Sequence, residues 1–234
     1  MTIAIINPNA SHFMTKQMQA SCSNLALQNE TLWFECEKSP ASIEGHSDGI
    51  YAAYHLLEKV RQLENSATPP KAYVIACFDD TGLDAAREIT ASPVIGIGEA
   101  AMHAASFISQ NFLVMTTLQR SVGILERNLD HYGLRVRCAG VAASGLPVLS
   151  LDADEKSYDI VKQAAHKMLQ AKKADALVLG CGGMSHWVDA LQQDLGLPVL
   201  DGVRIAISFA DSFIGLKLST SKVLGYAWPE AKTS

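Results

Sequence analysis

The chain repeats itself once, and that repeat limits the folds open to it more than any other feature. The segment AYVIACFDDTGLDAARE (72–88), followed by SPVIGIGEAA (92–101), has a counterpart in ADALVLGCGGMSHWVDAL (174–191), followed by LPVLDGVRIA (197–206). Each copy reads strand, cysteine, glycine-containing turn and helix, then an x-Pro-Val strand, a turn and a helix. Cys77 and Cys181 are 104 positions apart, and Pro93 and Pro198 are 105 apart. The opening IAIINPN (3–9) likewise matches FLVMTTL (112–118), each before a helix. A single period of about 100 residues points to two homologous lobes rather than a solenoid of short units.

The apolar runs at 3–6, 73–76, 94–97, 112–116, 140–143, 176–179 and 198–200 are the predicted strands. They are continuous rather than alternating, as parallel strands covered on both faces are. Helical patterns lie at 48–64, 83–90, 118–132 and 155–172, so strands and helices alternate in the α/β manner. The stretch 64–71, with its double proline, is a loop inside a domain. The expected architecture is two pseudo-symmetric doubly wound lobes with parallel sheets and a cleft between them. Residues 1–99 with 200–234 are assigned to the first lobe and 100–199 to the second. The last helix, within 203–213, and the C-terminal tail are expected to return to the first lobe. Ligands of such sheets bind at the carboxyl ends of the strands. Asn7, Asn9, Cys77, Thr116, Thr117 and Cys181 all fall there.

Cys77 and Cys181 each follow a strand and precede a turn that opens a helix. A thiol at a helix N-terminus feels the positive end of the dipole, which predicts a pKa drawn from about 8.5 toward neutrality. Such a thiol works as a general base when ionised and as a general acid when protonated. Racemisation of a carbon acid needs one such group on each face of the carbon. Backbone N–H groups at Phe78–Asp80 and at Gly182 and Gly183 are placed to hold the enolate oxygen. That chemistry calls for no metal and no cofactor. The competing explanation is that both cysteines are small apolar residues at strand ends. Their matched places in two repeats favour the catalytic explanation. Cys22, Cys36 and Cys138 have no such partner and are expected to be structural.

Composition excludes other classes. Five cysteines, with none at C-x-x-C spacing, argue against a disulfide framework and a structural zinc site. A net charge of −5 with no basic stripe argues against nucleic acid as a partner. No apolar run reaches the roughly 18 residues of a membrane span. The N-terminus carries no basic region followed by an apolar stretch, and a cytoplasmic location is expected. Gly96, Gly98 and Ala101 fit a dinucleotide pattern, but on a later strand than that pattern requires; a tight turn into a closely packed helix is expected instead. Asp79, Asp80 and Asp84 form a possible carboxylate cluster, with Asp80 a candidate to orient a substrate N–H. His103, His186 and Arg120 lie near the expected cleft, with structural roles favoured.

The blocks NPNAS (7–11), ACFDDTGLDAARE (76–88), PVIGIGEAAMHAA (93–105), TTLQRS (116–121) and LGCGGM (179–184) resemble the Asp/Glu/hydantoin racemase family, and within it the hydantoin and allantoin racemases. The resemblance runs from the first strand to about residue 202. It implies two Rossmann-like lobes, a two-base mechanism with Cys77 and Cys181, a small hydantoin-like substrate and a homo-oligomer. It also implies a pocket lined by Asn9, Asp80, Thr81, Thr117, Gly182 and Gly183. The sequence departs from the family pattern at Asp79 and Thr81, where Gly and Pro are common, and at Gly182, where Ala is common. Two alternatives remain at this point. An aspartate or glutamate racemase or a maleate isomerase would share the fold, though those substrates demand cations in the cleft. A two-lobe binding protein would share the fold without turnover.

Overall fold

Ile3 to Ile6 are completely buried because each side of their sheet is covered by apolar side chains. In the computed structural model, which describes residues 1–151 and 155–230, that strand is β1 (Thr2–Asn7). The chain continues through α1 (His12–Ser21), β2 (Glu30–Glu35), α2 (His46–Glu64), β3 (Ala72–Ile75), α3 (Leu83–Ile89), β4 (Val94–Gly96) and α4 (Ile97–Ile108). It then runs through β5 (Phe112–Thr116), α5 (Gln119–His131), β6 (Cys138–Ala143), α6 (Glu155–Lys172), β7 (Ala176–Leu179), a short 3-10 turn (Gly182–Trp187), α7 (Val188–Leu195), β8 (Val199–Asp201) and α8 (Gly202–Gly215).

The sheets are ordered β2-β1-β3-β4 and β6-β5-β7-β8, and every neighbouring pair is parallel. The two halves therefore wind identically, as the repeat predicts. The cysteine-bearing strands β3 and β7 are interior in both sheets, so Cys77 and Cys181 leave the sheets at equivalent points.

Side-chain alternation divides the core. Ile3 and Ile5 of β1, Val74 of β3, Val114 of β5 and Val178 of β7 share one cluster with α4 and α8. Ala4, Ile6, Tyr73 and Ile75 face α2 and α3 on the outside of the first sheet. Leu113, Met115, Leu177 and Leu179 face α6 and α7 on the outside of the second. The shared cluster locks the lobes together and orients their strand ends toward each other. Helix α4 packs on β7 and β8, and α8 packs on β3, β4 and β1, while the two helices pack on each other. Where they meet, a Cβ at Gly202 would run into the carbonyl oxygen of Ile97. Only glycine lets the backbones approach this closely. The tail beyond α8 hydrogen bonds to the first lobe through Thr220 N to Ala91 O at 2.9 Å and Tyr226 Oη to Asp84 Oδ1 at 2.8 Å. On this packing we propose the division into residues 1–99 with 200–234 and residues 100–199, of which 152–154 and 231–234 lie outside the described residues.

One strand escapes the sequence pattern. The apolar-run criterion passes over β2, whose sequence is ETLWFE and whose residues are all partly exposed. It is an edge strand paired on one side only, so its side chains need not form a continuous apolar run.

Candidate active site

The carboxyl ends of β1, β3, β5 and β7 open onto one small cavity. Its walls are Asn9, Met14, Ile43, Ala76, Cys77, Phe78, Asp79, Thr116, Thr117, Ser121, Val148, Gly180, Cys181 and Gly182. Both cysteines are free and half-buried. Their surroundings repeat the pseudo-symmetry at the atomic level. The backbone N–H two residues on, that of Asp79 in the first lobe and of Gly183 in the second, faces each sulfur and favours its ionised form. Thr81 Oγ1 lies 3.5 Å from Cys77 Sγ.

The dipole expectation for these thiols is overturned. Burial drives Cys77 well above the ordinary thiol range, with the nearby charge of Asp79 adding to the rise. Burial also pushes Cys181 up to about 12. The reason is local. Helix α3 starts only at Leu83, six positions past Cys77, and Cys181 is followed by a 3-10 turn rather than an α-helix. Little dipole reaches either sulfur, and desolvation dominates. Both thiols are therefore protonated in the empty cavity near neutral pH. Alkylation of Cys77 and Cys181 by iodoacetamide, followed by peptide mass spectrometry, is expected to accelerate with pH to about 9 and beyond. A plateau near neutrality would contradict it. Each folded value lies above the unfolded one, so the native state holds more protons in that window and the fold loses stability as pH rises above about 9.

The other site residues divide between cavity and scaffold. Asn9 reaches the wall on a turn held by Asn7, whose Nδ2 donates to Asn9 Oδ1 at 2.8 Å and to Thr15 Oγ1 at 3.1 Å. Asn9 Oδ1 is thus occupied, while its Nδ2 meets only Met14 Sδ, a weak acceptor. The Asn9 amide keeps a donor for a ligand carbonyl. Phe78, Thr117 and Gly182 stand on the wall. Thr81 and Gly183 do not, and act on the sulfurs from behind it.

Asp80 is placed differently from its expected role. Its carboxylate accepts from Gly98 N at 2.9 Å, Glu99 N at 2.7 Å and Tyr132 Oη at 2.7 Å. It caps α4 and ties the Cys77 turn to α5, facing away from the cavity. The glycines of the dinucleotide-like pattern make room for it, since a Cβ at Gly96 would collide with Asp80 Oδ1. Asp84 meets Tyr226, and Arg87 pairs with Glu99 at 2.5 Å. Arg120 is absent from the wall; its guanidinium lies against Gly45, where a Cβ would come within 2.6 Å of it. His186 lies beside Trp187, with ring centroids 4.5 Å apart and planes tilted by 49°. Among the described residues no group of His, Cys, Asp and Glu is arranged to hold a metal ion. Ile43, Ser121 and Val148 escaped the sequence reading. Ile43 and Val148 come from irregular segments that no periodicity marks, joined by Val148 N donating to Glu44 Oε1 at 3.4 Å.

Two free thiols stand at equivalent strand ends of two fused α/β lobes and line one cavity. The chain belongs to the Asp/Glu/hydantoin racemase family, whose model matches residues 3–210. A hydantoin racemase of Rhizobium meliloti is 41% identical over 242 aligned residues, covering 100% of this chain and 97% of that one. An allantoin racemase of Klebsiella pneumoniae superposes with a TM-score of 0.94 at 39% identity, covering 99% of this chain and 95% of that chain. An allantoin racemase of Pseudomonas fluorescens also reaches 0.94, at 32% identity, covering 100% and 99%.

Proposed function

We propose that the protein racemises hydantoins at C5, with Cys77 and Cys181 as the two proton-transfer groups. The carrying observation is the pair of free thiols at pseudo-symmetric strand ends on one cavity wall, each with a backbone N–H two residues on. One sulfur, as thiolate, takes the C5 proton. The C5–H electron pair moves into the adjacent ring carbonyl and forms an enolate, whose oxygen the donors at Asn9 and the cysteine turns receive. The opposite thiol returns a proton to the other face. The sulfurs then hold exchanged protonation states, ready for the opposite enantiomer. Because both thiols are protonated in the empty cavity, one of them gives its proton to solvent before the cycle begins.

The wall also separates hydantoins from dicarboxylic amino acids. Among the described residues no Lys or Arg lines the cavity, and its charged member is the acid Asp79. A substrate with two carboxylates would meet repulsion there, whereas a neutral ring with N–H and C=O groups meets matching partners. The same reading includes a reducing, cytoplasmic setting, supported by five free cysteines. It also includes self-association, supported by exposed Phe107, Ile108 and Leu224. No helix of the described residues is long and apolar enough to cross a membrane.

The test is to incubate single enantiomers of 5-substituted hydantoins, allantoin among them, in heavy water. Optical rotation is expected to decay to zero while deuterium enters C5. Unchanged rotation with no deuterium in any hydantoin would overturn the function.

A further inference from the structure

Both cysteine turns present a backbone N–H to the sulfur from the same place. Asp79 and Gly183 occupy matching positions, each two residues after its cysteine and each presenting its N–H to the sulfur. Gly183 does this without a side chain, so the turn itself does not require a carboxylate. Asp79 nonetheless places one there. It is half-buried on the cavity wall, and its carboxylate makes no hydrogen bond or ion pair among the described residues. Its backbone carbonyl accepts from Asn128 Nδ2 at 3.0 Å. Asp80, the next residue, has three donors for its carboxylate; among the described residues Asp79 has none.

An unpartnered carboxylate taken from water costs stability. Burial raises Asp79 to about 6 for that reason. Asp79 also borders a shallower recess beside Asn128 and Tyr132. Its charge, however, raises both Cys77 and Cys181, which stand in different lobes. Asp79, Cys77 and Cys181 line the same cavity.

We propose that Asp79 is a specificity-determining residue, whose carboxylate receives an N–H group carried by the C5 substituent of the hydantoin. The substrate class it selects is hydantoins with a neutral, donor-rich substituent such as a ureido group. It disfavours those carrying a carboxylate there. A ureido group offers several N–H donors to one acceptor, while a carboxylate substituent adds like-charge repulsion in a poorly solvated space. This inference rests on the proposed hydantoin racemisation.

The test compares kcat/KM for three hydantoins, with ureido, isobutyl and 2-carboxyethyl groups at C5, in the parent, Asp79→Gly and Asp79→Asn. With isobutyl as reference, the ureido substrate is expected to fall about tenfold in Asp79→Gly, the loss of one charge-assisted hydrogen bond. The carboxyethyl substrate is expected to rise by about the same factor in both variants, as a like charge is removed. Opposite changes for two substrates cannot come from general damage to the site. If Asp79→Gly does not fold, the carboxyethyl gain in Asp79→Asn decides alone. Unchanged ratios in an active parent and active variants would overturn this inference and leave the racemase reading standing. A parent inactive on all three substrates would overturn both.

Discussion

Cys77→Ser and Cys181→Ser, made singly, are each expected to lose racemisation by roughly 10³-fold, the scale of one positioned acid or base. A serine hydroxyl fits the space but ionises far less readily than a thiol. The loss should be unequal in kind. In each variant the remaining sulfur still faces one side of C5, so it takes the proton of one enantiomer and returns solvent deuterium to the same face. Exchange without inversion is therefore expected for one enantiomer in Cys77→Ser and for the other in Cys181→Ser. Nuclear magnetic resonance of the C5 proton, run beside polarimetry in heavy water, reads both quantities. Equal exchange of both enantiomers by either variant would contradict the assignment of one cysteine to each face.

Asp80→Ala is expected to cost about 3 kcal/mol of stability, the scale set by hydrogen bonds to a charged group. For a chain of this length that is a fall in Tm of roughly 9 °C. The substitution strands the N–H groups of Gly98 and Glu99 and the hydroxyl of Tyr132. It also removes a residue type that tolerates the left-handed backbone found at this corner, where φ is 53°. Asp80→Asn keeps that tolerance and part of the hydrogen bonding, so it should fall between. Tyr132→Phe removes a single donor and should cost about 1 kcal/mol. Thermal melting followed by circular dichroism checks the order. An unchanged Tm in Asp80→Ala would show that the carboxylate does not hold the Cys77 turn to α4 and α5.

These two acidic neighbours show where sequence reasoning stops. Asp79 and Asp80 are adjacent and chemically identical, and both follow the candidate cysteine. In the sequence Asp80 stands out as the substrate-orienting group, and Asp79 as a member of a possible carboxylate cluster and a departure from a family pattern. In the structure Asp80 turns into the scaffold, where three donors await it, and Asp79 lines the cavity with none among the described residues. The left-handed turn at Asp80 sends successive side chains in different directions, and no one-dimensional pattern records that. The thiol environment was hidden for a similar reason. The order strand, cysteine, turn, helix was legible, but not the length of the turn that separates the sulfur from the dipole, nor how far the closed cavity excludes water.

Local chemistry that repeats along the chain was open to reading from the start. Continuous apolar runs marked the buried parallel strands, and the recurrence of Cys, Gly and x-Pro-Val marked two lobes wound alike. The repeat alone determined that Cys77 and Cys181 occupy equivalent strand ends, because equivalent sequences in a doubly wound sheet leave it at equivalent points. The edge strand β2 escapes that pattern because its partly exposed residues, ETLWFE, form no such run. Only the tertiary structure decided what depends on groups distant in sequence meeting in space. It decided that α4 and α8 share one core and set the strand ends on a common cavity, that Ile43 and Val148 complete its wall, and that burial rather than a helix dipole governs the thiols. Desolvation and charge pairing are sums over neighbours, and the neighbours of each cysteine come from both lobes.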